Sequence, residues 1–401
     1  MAAMEKNNKT LKSSIEREQK QLAGSAEHEK IKGSQNLNVP HLRFPEFSGE
    51  WEYHELQSIA PNISSGKDKP NNEGTVVLYG STGIMGHTTT KSYNSEIVIV
   101  ARVGANAGQL QLVDIPCGVT DNALVVDAKS WNKYVFFYLQ HFNLNKLVFG
   151  SGQPLITGGM LKKIKIWTGN NVERNKIVHL LSLMEERIDT QKKIIEDLKK
   201  LKDAICNVNF TSGSALKLGN VGKFVRGLTY SASDVIDDTM GTVVMRSNNI
   251  SNGDPVNFEE LVWVNKTPNH EQILRDGDIL ICMANGSSPL VGKASYYVDC
   301  GMYSATVGAF CGIYRSYNPL TKWLFRSKHY KRHIQRCIQG GNGAIANIYP
   351  EDILAISFNI PSGYERVLNT LNSLEDKYLL EQKLLCRYLT VKSHLLAQLF
   401  I

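Results

Sequence analysis

His329 and His333, in "HYKRH", stand four residues apart, the spacing that puts two imidazoles on one helical face where they could hold a metal. Lys328, Lys331 and Arg332 crowd them, and that much positive charge disfavours a dication. The same stretch predicts a helix over Lys322–Gln339 with a basic face of Arg326, Lys328, Lys331, Arg332 and Arg336. Such a face is either solvated or set against phosphates. "EDK" at Glu375–Lys377 has the spacing of a nuclease E-x-K, but it falls on a predicted helix instead of a strand. The chain has no G-x-x-x-x-G-K-[ST] loop, which argues against ATP hydrolysis, and no G-x-G-x-x-G after a strand. An adenine methyltransferase would need a cofactor domain and an Asn-Pro-Pro-aromatic or similar motif, and neither occurs. The seven cysteines are scattered with no C-x-x-C pair, so they predict small buried hydrophobes in a reducing compartment, without a zinc site or disulfide framework.

Turns after predicted strands hold the remaining candidates. In the first half these are Lys67, Lys69, Tyr79, Ser81, Thr82, Arg102, Asn106 and Gln109; in the second, Arg226, Arg246, Asn248, Asn249, Asn285, Ser287 and Ser288. Arg, Asn and Gln can each make two hydrogen bonds to one base edge, while Ser, Thr and Lys mostly serve phosphates. Taken singly, each reads first as an ordinary loop residue. Their recurrence at matching places in both halves, with different side chains, is what raises nucleic acid as a ligand.

Those turns need elements to position them, and the chain supplies them twice. "GTVVLYGSTGI" (Gly74–Ile84) is echoed by "GTVVMRSNNIS" (Gly241–Ser251), and "EIVIVARVGANAG" (Glu96–Gly108) by "DILICMANGSS" (Asp278–Ser288). Both pairs are β-branched runs that open into polar turns. "NKYVFFYLQHFNLNKLVFGSG" and "TKWLFRSKHYKRHIQRCIQGGNG" read as aromatic-rich helices stopped by glycines, and "LKKIKIW" and "ILAISFN" as closing strands. A repeat of roughly 190 residues is a duplicated domain and not a solenoid unit.

Each half ends in a long helix. Ile177, Leu181, Met184, Ile188, Gln191, Ile195, Leu198, Lys202 and Ile205 follow alternating steps of four and three, a coiled-coil seam. Moving on by 190 residues gives Val367, Leu371, Leu374, Tyr378, Glu381, Leu385, Tyr388, Lys392 and Leu395, with polar interruptions at the same places. Folded back antiparallel, a pair of such rods, each of about 30 residues and roughly 45 Å, is comparable with a DNA turn of roughly 34 Å and could act as a ruler. Two amphipathic helices, each packed on its own domain, is the alternative.

The predicted organisation is α+β: a mobile arm over residues 1–38, a β-rich domain over 39–169, a helix over 170–210, a second β-rich domain over 211–360 and a second helix over 361–401. The arm is rich in Lys, Glu, Asn and Ser and carries few large apolar groups. A formal charge of +7 is compatible with a polyanion partner without requiring one. No apolar run is long enough for a membrane span, and the start is too polar for a secretory signal, so the expected location is cytoplasmic.

These residues carry a resemblance. "VPHLRFPEFSGEWEYHEL" (Val39–Leu56), "SGQPLI" (Ser151–Ile156) and "ERNKIVHLLSLMEERIDTQKKIIEDLKKLKDAI" (Glu173–Ile205) resemble the domain entry, closing turn and helical spacer of type I restriction–modification specificity subunits. The second spacer, "SGYERVLNTLNSLEDKYLLEQKLL", departs from that family's E-Q-x-K-I start, and "GGNGAIANI" departs from its usual turn. The resemblance implies two target-recognition domains that read the halves of a split site in double-stranded DNA, with an antiparallel coiled coil that sets the gap. It implies a non-catalytic subunit with no cofactor of its own. Its partners would be two modification subunits using S-adenosylmethionine and restriction subunits using ATP. A coiled-coil adaptor that joins two proteins without touching DNA is the competing reading, and a stand-alone DNA enzyme a third.

Overall fold

The computed structural model describes residues 38–147, 154–237, 240–340 and 345–401. Apart from Asn38, the expected arm lies outside these residues, as do Ser151–Gln153 of the first closing turn and residues 341–344 of the second. The described residues divide into two compact units: Asn38–Lys193 together with Glu381–Ile401, and Ile194–Leu380.

The first unit contains β1 (Glu52–Glu55), β2 (Ser64–Ser65), β3 (Val76–Gly80), β4 (Gly83–Thr88), β5 (Ile97–Ala101), β6 (Leu110–Val113), β7 (Cys117–Val119), β8 (Ala123–Val126), helix α1 (Asn132–Phe142) and β9 (Lys165–Thr168). One sheet runs β2-β8-β5-β6; a second runs β4-β3-β7, with β3 parallel to β7; β1 pairs with β9. The central strand "IVIVA" is buried throughout because both of its faces are covered, hence its unbroken apolar run. Val98 and Val100 point into a core shared with Tyr134, Phe137 and Leu139 of α1, whereas Ile97 and Ile99 face Cys117, Val119 and Val125. α1 stops where Asn143 turns left-handed at φ 57°.

The second unit repeats this plan. Its strands are β10 (Ser214–Lys217), β11 (Gly222–Arg226), β12 (Val235–Ile236), β13 (Thr242–Met245), β14 (Val262–Val264), β15 (Ile279–Cys282), β16 (Ala284–Asn285), β17 (Ala294–Tyr296), β18 (Ala305–Val307), β19 (Cys311–Ser316), β20 (Ala346–Asn347) and β21 (Ser357–Ile360). The order β11-β19-β15-β17 matches β2-β8-β5-β6, β13 lies parallel to β18 as β3 does to β7, and β10 pairs with β21. The duplication read from short echoes is therefore a duplication of topology.

The long helices are α2 (Asn171–Asn209) and α5 (Tyr364–Leu399). They run antiparallel: Gln191 meets Glu381 at 2.5 Å, Glu185 meets Lys392 at 2.5 Å, and Lys202 meets Glu375 at 2.5 Å. Of the expected seam, Ile177, Leu181, Ile188, Ile195, Leu198, Leu371 and Tyr378 are buried; Met184, Ile205, Val367, Leu374, Leu385, Tyr388 and Leu395 are partly buried. The polar positions also have partners. Lys202–Glu375 in one unit recurs in the other as Lys392–Glu185, each pair formed from the same two places in the repeat.

The single helix expected over Lys322–Gln339 is two, Thr321–Leu324 (α3) and Lys328–Cys337 (α4). Ser327 interrupts it, its hydroxyl accepting from the N–H of Tyr330 at 3.2 Å as an N-cap. Arg326, expected on the basic face, turns inward. It is 3% exposed, donates to the Gly253 carbonyl at 2.9 Å and pairs with Asp254 at 2.9 Å. Its Nε also lies 2.5 Å from Asp203, at an angle that is not that of a hydrogen bond.

Burial alone would raise the Asp254 carboxyl, but hydrogen bonds from Arg326 and Lys199 outweigh it and hold the group below its ordinary 3.8. A depressed carboxylate contributes stability that is complete above its unfolded pKa and is lost as pH falls through the lower folded value. Wild-type protein is therefore expected to lose its advantage in unfolding midpoint over Asp254→Asn as the pH drops below 3.8. A difference that stays constant with pH would show that this ion pair does not carry the acid dependence.

Candidate nucleic-acid interface

In the first unit, four backbone connections gather the candidate turns. Gly66 N–H donates to the Ala123 carbonyl at 3.0 Å, and Asp68 N–H to that of Val119 at 3.0 Å. Thr120 N–H donates to Tyr79 at 2.9 Å and Arg102 N–H to Asn122 at 3.0 Å. The loop of Lys67 and Lys69, the hairpin of Tyr79, Ser81 and Thr82, and the turn of Arg102, Asn106 and Gln109 thus meet around Val119–Ala123. Gln111 ties two of them together by donating to the Gly80 carbonyl at 2.9 Å.

Lys67 and Lys69 are exposed, and Asp68 between them is anchored by accepting from Val119 N–H at 2.8 Å. Gln109 donates to the Asn106 carbonyl oxygen of its side chain at 3.0 Å, which pre-orients both amides. Tyr79 is partly buried, and burial raises its hydroxyl pKa. Arg102 Nε is buried and has no hydrogen-bond partner among the described residues.

The second unit builds the same cluster around Val307–Cys311. Leu228 N–H donates to the Val307 carbonyl at 2.7 Å, Gly308 N–H to Met245 at 2.9 Å, and Met283 N–H to Phe310 at 2.8 Å. The ends of β11, β13 and β15 converge there, bringing Arg226, Arg246, Asn248, Asn285 and Ser287. Arg226, Arg246, Asn248 and Ser287 are exposed. Asn248 donates to Glu260 at 3.1 Å. Asn285 donates to the Ser247 hydroxyl at 3.3 Å and accepts from Ser287 N–H at 2.8 Å.

Asn249 leaves the candidate set. It is fully buried, donates to the carbonyls of Asn257 and Glu259 at 3.1 and 2.8 Å, and accepts from Arg246 N–H at 2.9 Å. Its amide is spent on holding the turn. Lys328 and Arg332 are exposed and Lys331 partly so, but α4 is anchored elsewhere, through Lys328 N–H to Asn207 at 2.6 Å and Tyr330 hydroxyl to Gly292 at 2.8 Å. His329 packs against Phe358 with the rings tilted by 60° and their centroids 5.1 Å apart, and among the described residues no group of three His, Cys, Asp or Glu could hold a metal.

Residues overlooked in the sequence complete the surface. Phe310 is 64% exposed, and with Tyr230, Ser247 and Ile345 it helps wall a cleft of about 410 Å³ that also includes Arg246 and Asn285. In the first unit Ile84 and Met85 are exposed beside Thr82. Phe310 sits in "VGAFCG", an aromatic among small residues just after a strand, and that was the available signal. All seven cysteines are free; burial pushes the Cys117 thiol up to about 11 and Cys206 up to about 12.

This duplicated architecture is the fold of a type I restriction–modification S subunit. The S subunit of M. genitalium has the same fold at a TM-score of 0.55 and 16% identity, over 90% of this chain and 99% of that one. Residues 48–200 match the type I restriction modification DNA specificity domain. The EcoKI specificity subunit of Escherichia coli (strain K12) is 31% identical over 153 residues, which is 36% of this chain and 32% of that protein. The StySPI specificity subunit of Salmonella potsdam is 32% identical over 155 residues, with the same coverage. This chain thus spans about a third of the length of the curated relatives it matches. The resemblance read from the spacer and the domain entry is borne out.

Proposed function

We propose that this chain is a non-catalytic specificity subunit of a type I restriction–modification complex. Each unit reads one half of a split target in double-stranded DNA, and the paired helices set the gap. The observation that carries this reading is the loop cluster built twice on the same strand ends and filled with different polar side chains. Shared scaffolding with unshared tips suits two readers of two sequences. Lys67, Lys69, Tyr79, Ser81, Thr82, Arg102, Asn106 and Gln109 serve one half-site. Arg226, Arg246, Asn248, Asn285 and Ser287 serve the other, and Lys328, Lys331 and Arg332 meet the backbone.

Catalysis belongs to the partners: two modification subunits that use S-adenosylmethionine to methylate adenine, and restriction subunits driven by ATP. The setting is cytoplasmic, where the DNA is. No described helix is long and apolar enough to cross a membrane.

Long-read sequencing of adenine methylation, with this gene intact and deleted, tests the proposal. Deletion is expected to abolish one split motif and leave the others. A complete methylation pattern in the deleted strain, with the modification subunits expressed, would overturn it. Duplex binding by the assembled complex is also expected to weaken steeply with salt, because phosphate contacts release counterions.

A further inference from the structure

We infer that the cleft beside Phe310 takes the major-groove edge of a guanine, with Arg246 as the residue that reads it. The inference rests on the DNA-reading role proposed above and names the base at one position of one half-site.

The cleft is about 410 Å³, and none of the described residues lining it is Asp or Glu. Among the described residues lining it, Arg246 is the one cation. The Arg246 guanidinium has no hydrogen-bond or ion-pair partner among the described residues, so its planar fork of donors is free. A fork that only donates matches a base edge with two acceptors side by side. In the major groove that is guanine O6 and N7; adenine and cytosine each place a donor there, and thymine offers one acceptor beside a methyl.

A phosphate would also accept from arginine, so the walls decide between the two. Phe310, Tyr230 and Ile345 give the cleft an apolar and aromatic lining, and Ile345 is exposed. A phosphate gains nothing from such a lining, whereas a base edge entering it sheds water and strengthens the hydrogen bonds it makes. The backbone beneath Arg246 is also fixed: its N–H donates to Asn249, whose amide is buried and fully engaged. A fixed backbone favours selecting one base over following a variable phosphate path. Asn285 and Ser247, linked at 3.3 Å, close the polar side of the same cleft.

The test uses the chain assembled with its modification subunits in cells, with the methylated motif read genome-wide for wild type, Arg246→Gln and Arg246→Lys. Both variants are expected to relax one position, a G in the wild-type motif, by about tenfold to a hundredfold in relative methylation. The other half-site and the gap should be unchanged. Lysine keeps the charge and loses the fork, so its failure to restore the preference separates base reading from charge. An unchanged motif in both variants would overturn the inference, as would relaxation at a position that is not G. Restoration by lysine of a methylation level that Arg246→Gln lowers with no change of motif would make Arg246 a phosphate contact, which also overturns it. If Arg246→Gln abolishes methylation, the lysine variant alone decides between these. A wild-type chain that directs no split motif would fail the specificity-subunit reading itself, and that result appears in the control.

Discussion

Lys202→Ala is expected to destabilise the Ile194–Leu380 unit by about 3–5 kcal/mol, because removing one partner strands a buried charge on the other. Lys202 is 0% exposed and Glu375 4%, with 2.5 Å between them. Desolvation pulls the Lys202 pKa down against the pull of Glu375, so the ammonium has little reserve if its carboxylate is lost. Tyr296 donates to the other oxygen of Glu375, and the Lys202 ammonium lies 3.8 Å from the Tyr378 ring centroid.

Thermal unfolding of the full chain should show the transition of this unit falling by on the order of 10 °C. The triple variant Lys202→Met, Glu375→Leu, Tyr296→Phe is expected to regain most of that loss, since apolar groups of similar volume need no compensation. If the triple variant is as unstable as the single one, packing and not charge is what Lys202 supplies. The repeated pair, Lys392 with Glu185, has side chains 17% and 27% exposed, so solvent screens it. Lys392→Ala should cost about 1 kcal/mol or less.

Removing one heptad from each long helix, Ile188–Ile194 together with Tyr378–Leu384, is expected to shorten the gap between half-sites by about three base pairs. Seven residues at about 1.5 Å each make roughly 10 Å of helix, against about 3.4 Å per base pair. The cut removes Gln191 and Glu381 together, so neither is left buried without the other. The seam also stays in phase: Met184 is then followed by Ile195 at the spacing that Ile188 held, and Leu374 by Leu385 at that of Tyr378. Sequencing of methylated motifs reads the result. Unchanged half-site bases with a narrower gap are expected; an unchanged gap in an active complex would remove the ruler role from the helices.

Much of this molecule was legible from local pattern. The echo of Gly74–Ile84 in Gly241–Ser251 marks the parallel-paired strands β3 and β13, and the four-three steps of α2 and α5 locate nearly every seam contact. Both signals are periodic or repeated, so a short window is enough to see them. What stayed hidden depended on residues far away in sequence. Arg326 reads as one more cation on a basic face until Asp203 and Asp254, 123 and 72 positions away, draw it into the interior. Asn249 and Asn248 are adjacent and alike in the sequence, yet only Asn249 faces the carbonyls of Asn257 and Glu259 and is spent on them. The seam showed where polar residues interrupt it but not their pairing: Gln191 meets its own repeat counterpart, whereas Lys202 and Lys392 each meet a glutamate.

The first unit draws on both ends of the described chain. Leu399 and Phe400 sit in one core with Trp51, Tyr134 and Tyr138, and Leu42 N–H donates to the Gln398 carbonyl at 2.9 Å. Synthesis is vectorial, so the strands translated first cannot close that core until residues 381–401 have left the ribosome. Among the described residues the Ile194–Leu380 unit is contiguous, so its core can close on its own. The order of completion therefore reverses the order of synthesis. At about 5–20 residues per second, roughly 190 intervening residues hold the earlier aromatic face open for about 10–40 s. Nascent chains bearing only the first unit are the ones a holding chaperone should retain.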